Sequence, residues 1–270
     1  NKVCEKLAAV RQANGSDVWI LVHEWGNDKF YSYSLTSAGL IITPIISITG
    51  RIQLPTDTMH AESASRGYMK FSPQGDKIVV LSTSDKHPFV SYPEIFSFNN
   101  TTGTVLYLYK INTQDSTNYY GGSFSPSGNL LYLSNAWYGL NLHQFNLSSN
   151  DSVTIANSKF IVYQDTSQQP TSSVGAVQIA PDGKIYTASR PNGLNVINNP
   201  NNYGSSCNFQ FNSIVFSDSC QLMYCQYGLP NNDESIYLNS FNGGTCTPIT
   251  IVDFSYQDSC ANTLIQFTDS

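Results

Sequence analysis

The stretch "YMKFSPQGDKIVVLS", residues 68–82, decides the fold class of this chain. A short apolar run, a Pro-x-Gly turn and a second apolar run together predict a β-hairpin, because proline presets the turn and glycine accepts a positive φ. Three other segments have the same order: "AAVRQANGSDVWILV" (8–22), "GGSFSPSGNLLYLSN" (121–135) and "GAVQIAPDGKIYTAS" (175–189). The hairpin is therefore the start of an internal repeat.

The period of this repeat indicates the architecture. The turn glycines are Gly15, Gly75, Gly128 and Gly183, which are 53 to 60 residues apart. Two further β-type runs follow each hairpin, such as "EIFSFN" and "TVLYLYKI" in the second unit. Four strands at this period are typical of a β-propeller blade, with a strand-rich sandwich as the alternative. We expect an all-β propeller of four-stranded blades.

Both ends of the repeat predict an incomplete ring. A fifth unit is expected at residues 226–241, with a turn around 231–233 between two strands. The first blade starts almost at residue 5, which leaves no spare strand to close a ring. The interpretation is a propeller that lacks upstream blades.

Composition excludes several classes of function. The 270 residues include only 12% charged side chains, and the net charge is -6. No run of Lys or Arg is dense enough to neutralise a nucleic-acid backbone, and no apolar stretch is long enough to span a membrane. We expect no nucleic-acid partner and no membrane insertion.

The six cysteines predict an oxidising compartment. They are Cys4, Cys207, Cys220, Cys225, Cys246 and Cys260. Their spacing matches no metal site, so disulfides are favoured over free thiols. A local bridge is expected among Cys207, Cys220 and Cys225, with the pairing open.

The segment "WILVHEWGNDKFYSYSL", residues 19–35, places His23 beside Glu24. A zincin requires a second histidine four residues later on a helix, but that position is Asn27 and the segment reads as strand and turn. Strand alternation places the two side chains on opposite faces, so a structural role is favoured over catalysis. No nucleophile elbow or phosphate-binding loop occurs, and we expect no catalytic residue, no metal and no cofactor.

A family resemblance rests on several quoted runs. The segment "EKLAAVRQANGSDVWILVHEWGNDKFYSYSLTSAGL", the "SPxG" turns, "GAVQIAPDGKIYTA", "LNVINNPNNYGSSCNF" and "YGLPN" resemble the WD-like β-propeller region of exported Bacteroidetes surface proteins, often labelled gliding-motility-associated. The resemblance covers residues 5 to about 245. The tail "VDFSYQDSCANTLIQFTDS" resembles the first strands of a PKD domain, an immunoglobulin-like sandwich. The expected domains are a propeller of about four and a half blades over 1–246 and the start of the sandwich over 247–270.

The resemblance implies a location and a modification. Proteins of this kind are exported by the type IX secretion system, which implies a secreted or outer-membrane cell-surface protein that meets this machinery during export. Three Asp-Ser/Thr-apolar triplets are similar to Bacteroidetes O-glycosylation sites, and their acceptors are Thr58, Ser116 and Ser152.

The functional expectation is a non-enzymatic binding or adhesion module at the cell surface, with a protein or glycan partner. Its expected ligand contacts are Trp137 and Tyr138, which could form a platform for sugar stacking, and His23. One alternative is a glycan-binding, lectin-like propeller. The others are an enzyme whose active groups lie in the missing blades and a purely structural stalk.

Overall fold

The computed structural model of the protein describes residues 2–53, 65–83, 92–113, 117–135, 141–166, 173–190, 193–216, 227–237, 254–255 and 268–269. Within these ranges the chain forms four antiparallel sheets of four strands each, and every sheet uses strands that follow one another in the sequence. The prediction of an all-β propeller with four-stranded blades is confirmed. No helix in these ranges is both long enough and apolar enough to cross a bilayer.

The first two blades come from residues 3–48 and 69–110. Blade 1 consists of β1 (Val3–Arg11), β2 (Val18–Glu24), β3 (Lys29–Thr36) and β4 (Gly39–Ile48). Blade 2 consists of β5 (Met69–Phe71), β6 (Lys77–Val80), β7 (Glu94–Asn99) and β8 (Thr104–Lys110). In each blade the first strand packs near the first strand of the next blade, so β1 and β5 are inner strands.

Blades 3 and 4 repeat this arrangement. Blade 3 consists of β9 (Tyr119–Phe124), β10 (Leu130–Asn135), β11 (Asn141–Asn146) and β12 (Phe160–Gln164). Blade 4 consists of β13 (Ser173–Ile179), β14 (Ile185–Arg190), β15 (Gly193–Ile197) and β16 (Phe209–Val215), with a 3-10 helix over Gly204–Cys207 before β16. The inner strands of these blades are β9 and β13.

The short helix α1 (Ser152–Asn157) interrupts blade 3 between β11 and β12. Its N-terminus is capped by Asp151, whose carboxylate accepts hydrogen bonds from the backbone N–H groups of Val153 and Thr154. Six residues are too few to show helical periodicity, so only the capping geometry reveals the helix.

The four turn glycines occupy equivalent positions, as predicted. Gly15, Gly75, Gly128 and Gly183 have φ values of 78°, 70°, 72° and 75°. The N–H of each glycine donates to the carbonyl oxygen three residues earlier, at 2.8 to 3.0 Å. A side chain in this left-handed conformation meets its own backbone, so glycine is the residue that stabilises the turn.

Alanine substitutions at two of these turns are expected to differ in effect. A Cβ atom at Gly15 would have no neighbour within 4 Å, whereas one at Gly75 would lie 2.9 Å from Cγ2 of Val10 in the neighbouring blade. We expect Gly15→Ala to lower the free energy of unfolding by roughly 1–2 kcal/mol through backbone strain alone, and Gly75→Ala to lower it further. Urea denaturation of both variants checks this order, and equal losses would contradict the described contact between blades 1 and 2.

Large apolar side chains fill the interfaces between neighbouring blades. The interface of blades 1 and 2 buries Trp19, Phe30 and Phe98. The indole of Trp19 packs against Gly103 and donates a hydrogen bond from Nε1 to the carbonyl oxygen of Asn100 at 2.8 Å. Burial of these apolar side chains between neighbouring blades stabilises the blade array.

The segment 227–237, which we call the crossing segment, contacts both the fourth blade and the first. Its Tyr227 carbonyl accepts from the N–H of Ala176 in β13 at 2.6 Å. Further along, the Asn231 side chain donates to the carbonyl of Leu7, and Ser235 Oγ accepts from the N–H of Arg11 at 3.1 Å. The prediction of a fifth hairpin is wrong in this part, because 227–233 contain no strand and a 3-10 helix covers Glu234–Tyr237.

The predicted sandwich after the propeller is not shown. In the described part of the tail, Phe254–Ser255 and Thr268–Asp269 form a two-stranded antiparallel pair. A pair of two-residue strands does not make an immunoglobulin-like core. The boundary at residue 246 stays a prediction.

Candidate functional site

Each of the four inner strands carries a buried polar side chain. Lys6 lies on β1, Lys70 on β5, Ser123 on β9 and Gln178 on β13, and all four are buried. Lys70, Ser123 and Gln178 each lie five residues before the turn glycine of their blade, so they occupy equivalent positions, whereas Lys6 lies nine residues before Gly15. The centre is therefore polar, although the interfaces around it are apolar.

Glu234 completes this buried network from the segment 227–237. Its Oε1 atom is 3.2 Å from Lys70 Nζ, and its Oε2 atom accepts from Ser123 Oγ at 3.5 Å. The Lys70 ammonium also donates to Oε1 of Gln178 at 3.4 Å. Burial raises the pKa of the Glu234 carboxyl, and the charge of Lys70 opposes that change. The pair thus ties the crossing segment to blades 2, 3 and 4.

A pocket of about 230 Å³ opens beside this network, and we call it the axial pocket. It lies between the inner strands of blades 1, 2 and 3 and the crossing segment. Its wall residues are Glu5, Lys6, Leu7, Gly67, Tyr68, Met69, Tyr120, Leu229 and Asn231. The pocket is small and mixed in polarity, so it matches a ligand of a few heavy atoms better than a polymer.

Lys6 is one of the residues in the wall of the axial pocket. The residue is only 2% exposed, and its Nζ atom donates to the carbonyl oxygen of Ser65 at 3.1 Å. Burial lowers the pKa of Lys6 to about 8. A substantial fraction of the amine is therefore uncharged at mildly alkaline pH, and an uncharged amine can act as a base or nucleophile.

Two tyrosines also line the axial pocket. The rings of Tyr68 and Tyr120 pack edge to face with centroids 5.4 Å apart. Burial raises the pKa of both hydroxyls, and that of Tyr120 reaches about 12. Both phenols therefore keep their protons at neutral pH and can donate hydrogen bonds to a ligand oxygen.

The buried ion pair supports one of these phenols. Lys70 lies two residues after Tyr68, and its Nζ atom is 5.8 Å from the centroid of the Tyr68 ring. The Tyr68 hydroxyl also accepts a hydrogen bond from the N–H of Leu229 at 3.4 Å. The crossing segment and the central network thus position the pocket wall together.

A second, wider opening of about 580 Å³ lies at the edge of blades 1 and 2. It contains Arg51, Tyr92, Glu94, Tyr107 and Lys110. Glu94 is engaged there by Arg51, through an ion pair of 3.8 Å and a backbone hydrogen bond of 3.1 Å. The Glu94 carboxylate in this opening is already bound by Arg51, so the opening is the weaker candidate for a catalytic site.

His23 and Glu24 contact different groups. The His23 ring is 1% exposed and packs edge to face on Phe30 with centroids 4.5 Å apart. Glu24 instead accepts hydrogen bonds at 2.6 Å from the side chains of Asn27 and Tyr31, which lower the pKa of its carboxyl. This burial does not fit the expected role of His23 as a ligand contact.

Cys4 also lies near the His23 ring, with Sγ 3.9 Å from Nδ1. Burial raises the pKa of the Cys4 thiol and lowers the pKa of His23 to about 4. Both groups are therefore uncharged at neutral pH. The thiolate and imidazolium that a cysteine nucleophile requires do not form here.

The other predicted site residues lie mostly outside the described ranges. This holds for Trp137, Tyr138, Cys220, Cys225, Thr58 and Ser116. Cys207 is a buried free thiol, which gives the predicted bridge no support. Ser152 is half-buried at the start of α1. Its modification stays a prediction.

The site residues predicted from the sequence do not include Lys6, Tyr68, Lys70, Tyr120 or Glu234. One signal was present, because "EKLAAV" and "YMKFSP" each place a lysine inside a predicted inner strand. Lysine is rarely buried unless its charge is paired, so these positions were unusual. Among the described residues no group of three or more His, Cys, Asp or Glu side chains could hold a metal ion.

Comparison with known proteins gives structural likeness only. No family model matches the chain, and no curated protein does. Similar solved structures include two Bacteroides proteins named by inference as 6-phosphogluconolactonases. The B. uniformis protein is 16% identical over 70% of this chain and 49% of its own, with a TM-score of 0.43. The B. fragilis protein is 14% identical over 70% and 49%, with a TM-score of 0.39.

A gluconolactonase from Xanthomonas campestris is 10% identical over 70% of this chain and 57% of its own, with a TM-score of 0.39. The chain thus spans about half the length of these solved propellers. The named lactonases contradict the interpretation of a non-enzymatic binding or adhesion module, and we withdraw it. At these identities and TM-scores the likeness assigns no substrate to this chain.

Proposed function

We propose that the protein acts on a small carbonyl compound in the axial pocket. One observation carries this proposal: the wall of one pocket is formed by Lys6, Tyr68 and Tyr120 together, and Lys6 is buried. Protonated phenols can hold a carbonyl oxygen, and an amine that is partly uncharged can act at the carbonyl carbon or on a water molecule beside it. The size of the pocket selects small substrates.

Loss of the Lys6 amine is expected to weaken binding of small carbonyl compounds. We expect Lys6→Met to lower the affinity of such ligands by about tenfold, equivalent to ~1.4 kcal/mol, because the ligand loses a hydrogen-bonding partner. Ligand-observed NMR with a panel of short hydroxyketones, hydroxy acids and lactones measures this change. The panel separates compounds that bind from those that do not enter the pocket.

Lys77→Met is the matched control for this measurement. Lys77 is partly exposed in the hairpin of blade 2, where it pairs with Asp76 at 3.0 Å. The control variant should bind the same ligands as the unmodified protein. Binding that survives Lys6→Met and is equal in both variants would rule out the axial pocket.

We also propose a cellular setting from the sequence resemblance alone. The chain would belong to an exported Bacteroidetes protein of the WD-like propeller type, and residues 247–270 would begin a PKD domain. Its place would be secreted or at the outer-membrane surface, with the type IX secretion machinery as a partner during export and a protein or glycan partner outside. The quoted runs between residues 5 and 245 support this proposal, and cell fractionation tests the location.

A further inference from the structure

We propose that the opening of about 580 Å³ between blades 1 and 2, which we call the outer opening, binds small carboxylates that carry a flat ring. Arg51 contributes to it after the last strand of blade 1, and blade 2 contributes Tyr92, Glu94, Tyr107 and Lys110. The residues that line it do not line the axial pocket, so this site is separate from the proposed function. Its volume lies within the range of about 300–1,000 Å³ that is usual for small-molecule sites.

A β-bulge in blade 2 places Tyr107 and Lys110 on the same face of the sheet. In a regular strand, residues three apart point to opposite faces. Here Phe96 of β7 pairs with Tyr107 of β8, whereas Glu94 pairs with Lys110, so β8 contains one extra residue over this stretch. A bulge re-aims side chains in this way. Because Glu94 and Phe96 share a face of β7, their partners share the corresponding face of β8.

Contacts between the two blades hold this face in place. The N–H of Tyr107 donates to Oγ1 of Thr49 at 3.0 Å, and the N–H of Val105 donates to Oγ of Ser47 at 2.9 Å. The Tyr107 ring packs edge to face on the buried ring of Phe96, with centroids 5.6 Å apart. Tyr107 is nevertheless 41% exposed. A flat ligand ring can therefore pack on a wall that is already ordered, which lowers the entropic cost of binding.

Arg51 and Lys110 are the two cations of the outer opening. The Nε atom of Arg51 is 3.8 Å from Oε2 of Glu94, and 45% of the Arg51 side chain is exposed. No group in the described ranges accepts a hydrogen bond from this guanidinium. Lys110 pairs with Glu94 across the strands, yet its Nζ atom lies 4.9 Å from the centroid of the Tyr92 ring and forms no ion pair with a described carboxylate. An incoming carboxylate thus meets donors that these protein groups leave open.

The charge around the outer opening is positive, although the whole chain carries a net charge of -6. Burial raises the pKa of Glu94, and the charges of Arg51, Lys6 and Lys110 oppose that change. Three cations therefore act on a single carboxyl group. The carboxylate of a ligand would be attracted by positive charge that this one acid does not balance, and the planar guanidinium of Arg51 matches its geometry.

Ligand-observed NMR titration with benzoate tests the proposal on the whole chain. Benzamide has the same ring without the charge, and acetate has the charge without the ring. We expect benzoate to bind at least about tenfold more tightly than either compound, because only benzoate contacts both the cations and the tyrosine rings. Added salt should weaken the binding of benzoate and leave that of benzamide unchanged. Benzoate binding no tighter than that of benzamide or acetate would overturn the inference.

Single substitutions locate the site. Lys110→Gln and Arg51→Gln should each lower the affinity for benzoate by about five- to tenfold. Lys77→Gln removes one positive charge from the same blade outside the opening, so it is the control and should change the affinity less than about twofold. Arg51→Gln also removes the cation beside the buried Glu94, so Lys110→Gln decides the test if the Arg51 variant does not fold. Equal benzoate affinities of Lys110→Gln and Lys77→Gln would show that the ligand binds elsewhere or not at all.

Discussion

Replacing Lys70 with methionine is expected to lower the free energy of unfolding by about 3–5 kcal/mol, because Glu234 would then be a buried carboxyl without its cation. Both side chains of the pair are 3% exposed, and their charged atoms are 3.2 Å apart. Burial already raises the pKa of Glu234, and loss of Lys70 removes the charge that opposes this change. The loss should therefore be larger at alkaline pH, where the carboxyl must ionise.

Denaturant titration of three variants separates the stability lost with the Lys70–Glu234 ion pair from other effects of the substitution. The double variant Lys70→Met/Glu234→Leu removes both charges, and we expect it to recover most of the loss. Lys77→Met in the same blade breaks only an exposed ion pair and should cost about 1 kcal/mol or less. A Lys70→Met protein as stable as Lys77→Met would show that Glu234 does not occupy the centre.

The buried ring of His23 is expected to make the fold sensitive to acid. Burial lowers the pKa of His23 to about 4 from a usual value of 6.5. The unfolded chain therefore binds a proton near pH 6.5 that the folded chain accepts only near pH 4, so stability falls as the pH falls through this window. The loss from this residue is on the order of 3 kcal/mol.

Measuring stability from pH 7 to pH 4 in His23→Gln checks this expectation. The variant should be less stable than the unmodified protein at pH 7, because the ring leaves its contact with Phe30, but its stability should fall less with acid. Glu24→Gln is the neighbouring control. Hydrogen bonds lower the pKa of the Glu24 carboxyl, so its contribution is lost only below about pH 4.5. Parallel curves for His23→Gln and the unmodified protein would contradict a buried neutral imidazole.

The sequence predicted structure set by neighbouring residues more accurately than structure set by residues far apart in the chain. The interpretation of "HEWGND" as the end of a strand and a turn agrees with β2 and β3, which pair across that turn. In contrast, "QYGLPNNDESIYLNSF" has the pattern of a hairpin, yet its described part forms a crossing segment and a 3-10 helix. Tyr227, Asn231 and Ser235 make their hydrogen bonds to other blades, and these partners override the local preference.

The sequence by itself determined the blades, because their information is local. A glycine with positive φ at each turn, between two short β-type runs, predicts each of the four hairpins from local sequence. The set of residues that meet at the centre of the blade array was decided by the tertiary structure. Lys70 and Glu234 are 164 residues apart in the chain, and Lys6, Tyr68 and Tyr120 come from three blades. Only the packing of the blades sets which inner-strand positions face one another, so the repeat period alone could not place these groups in one pocket.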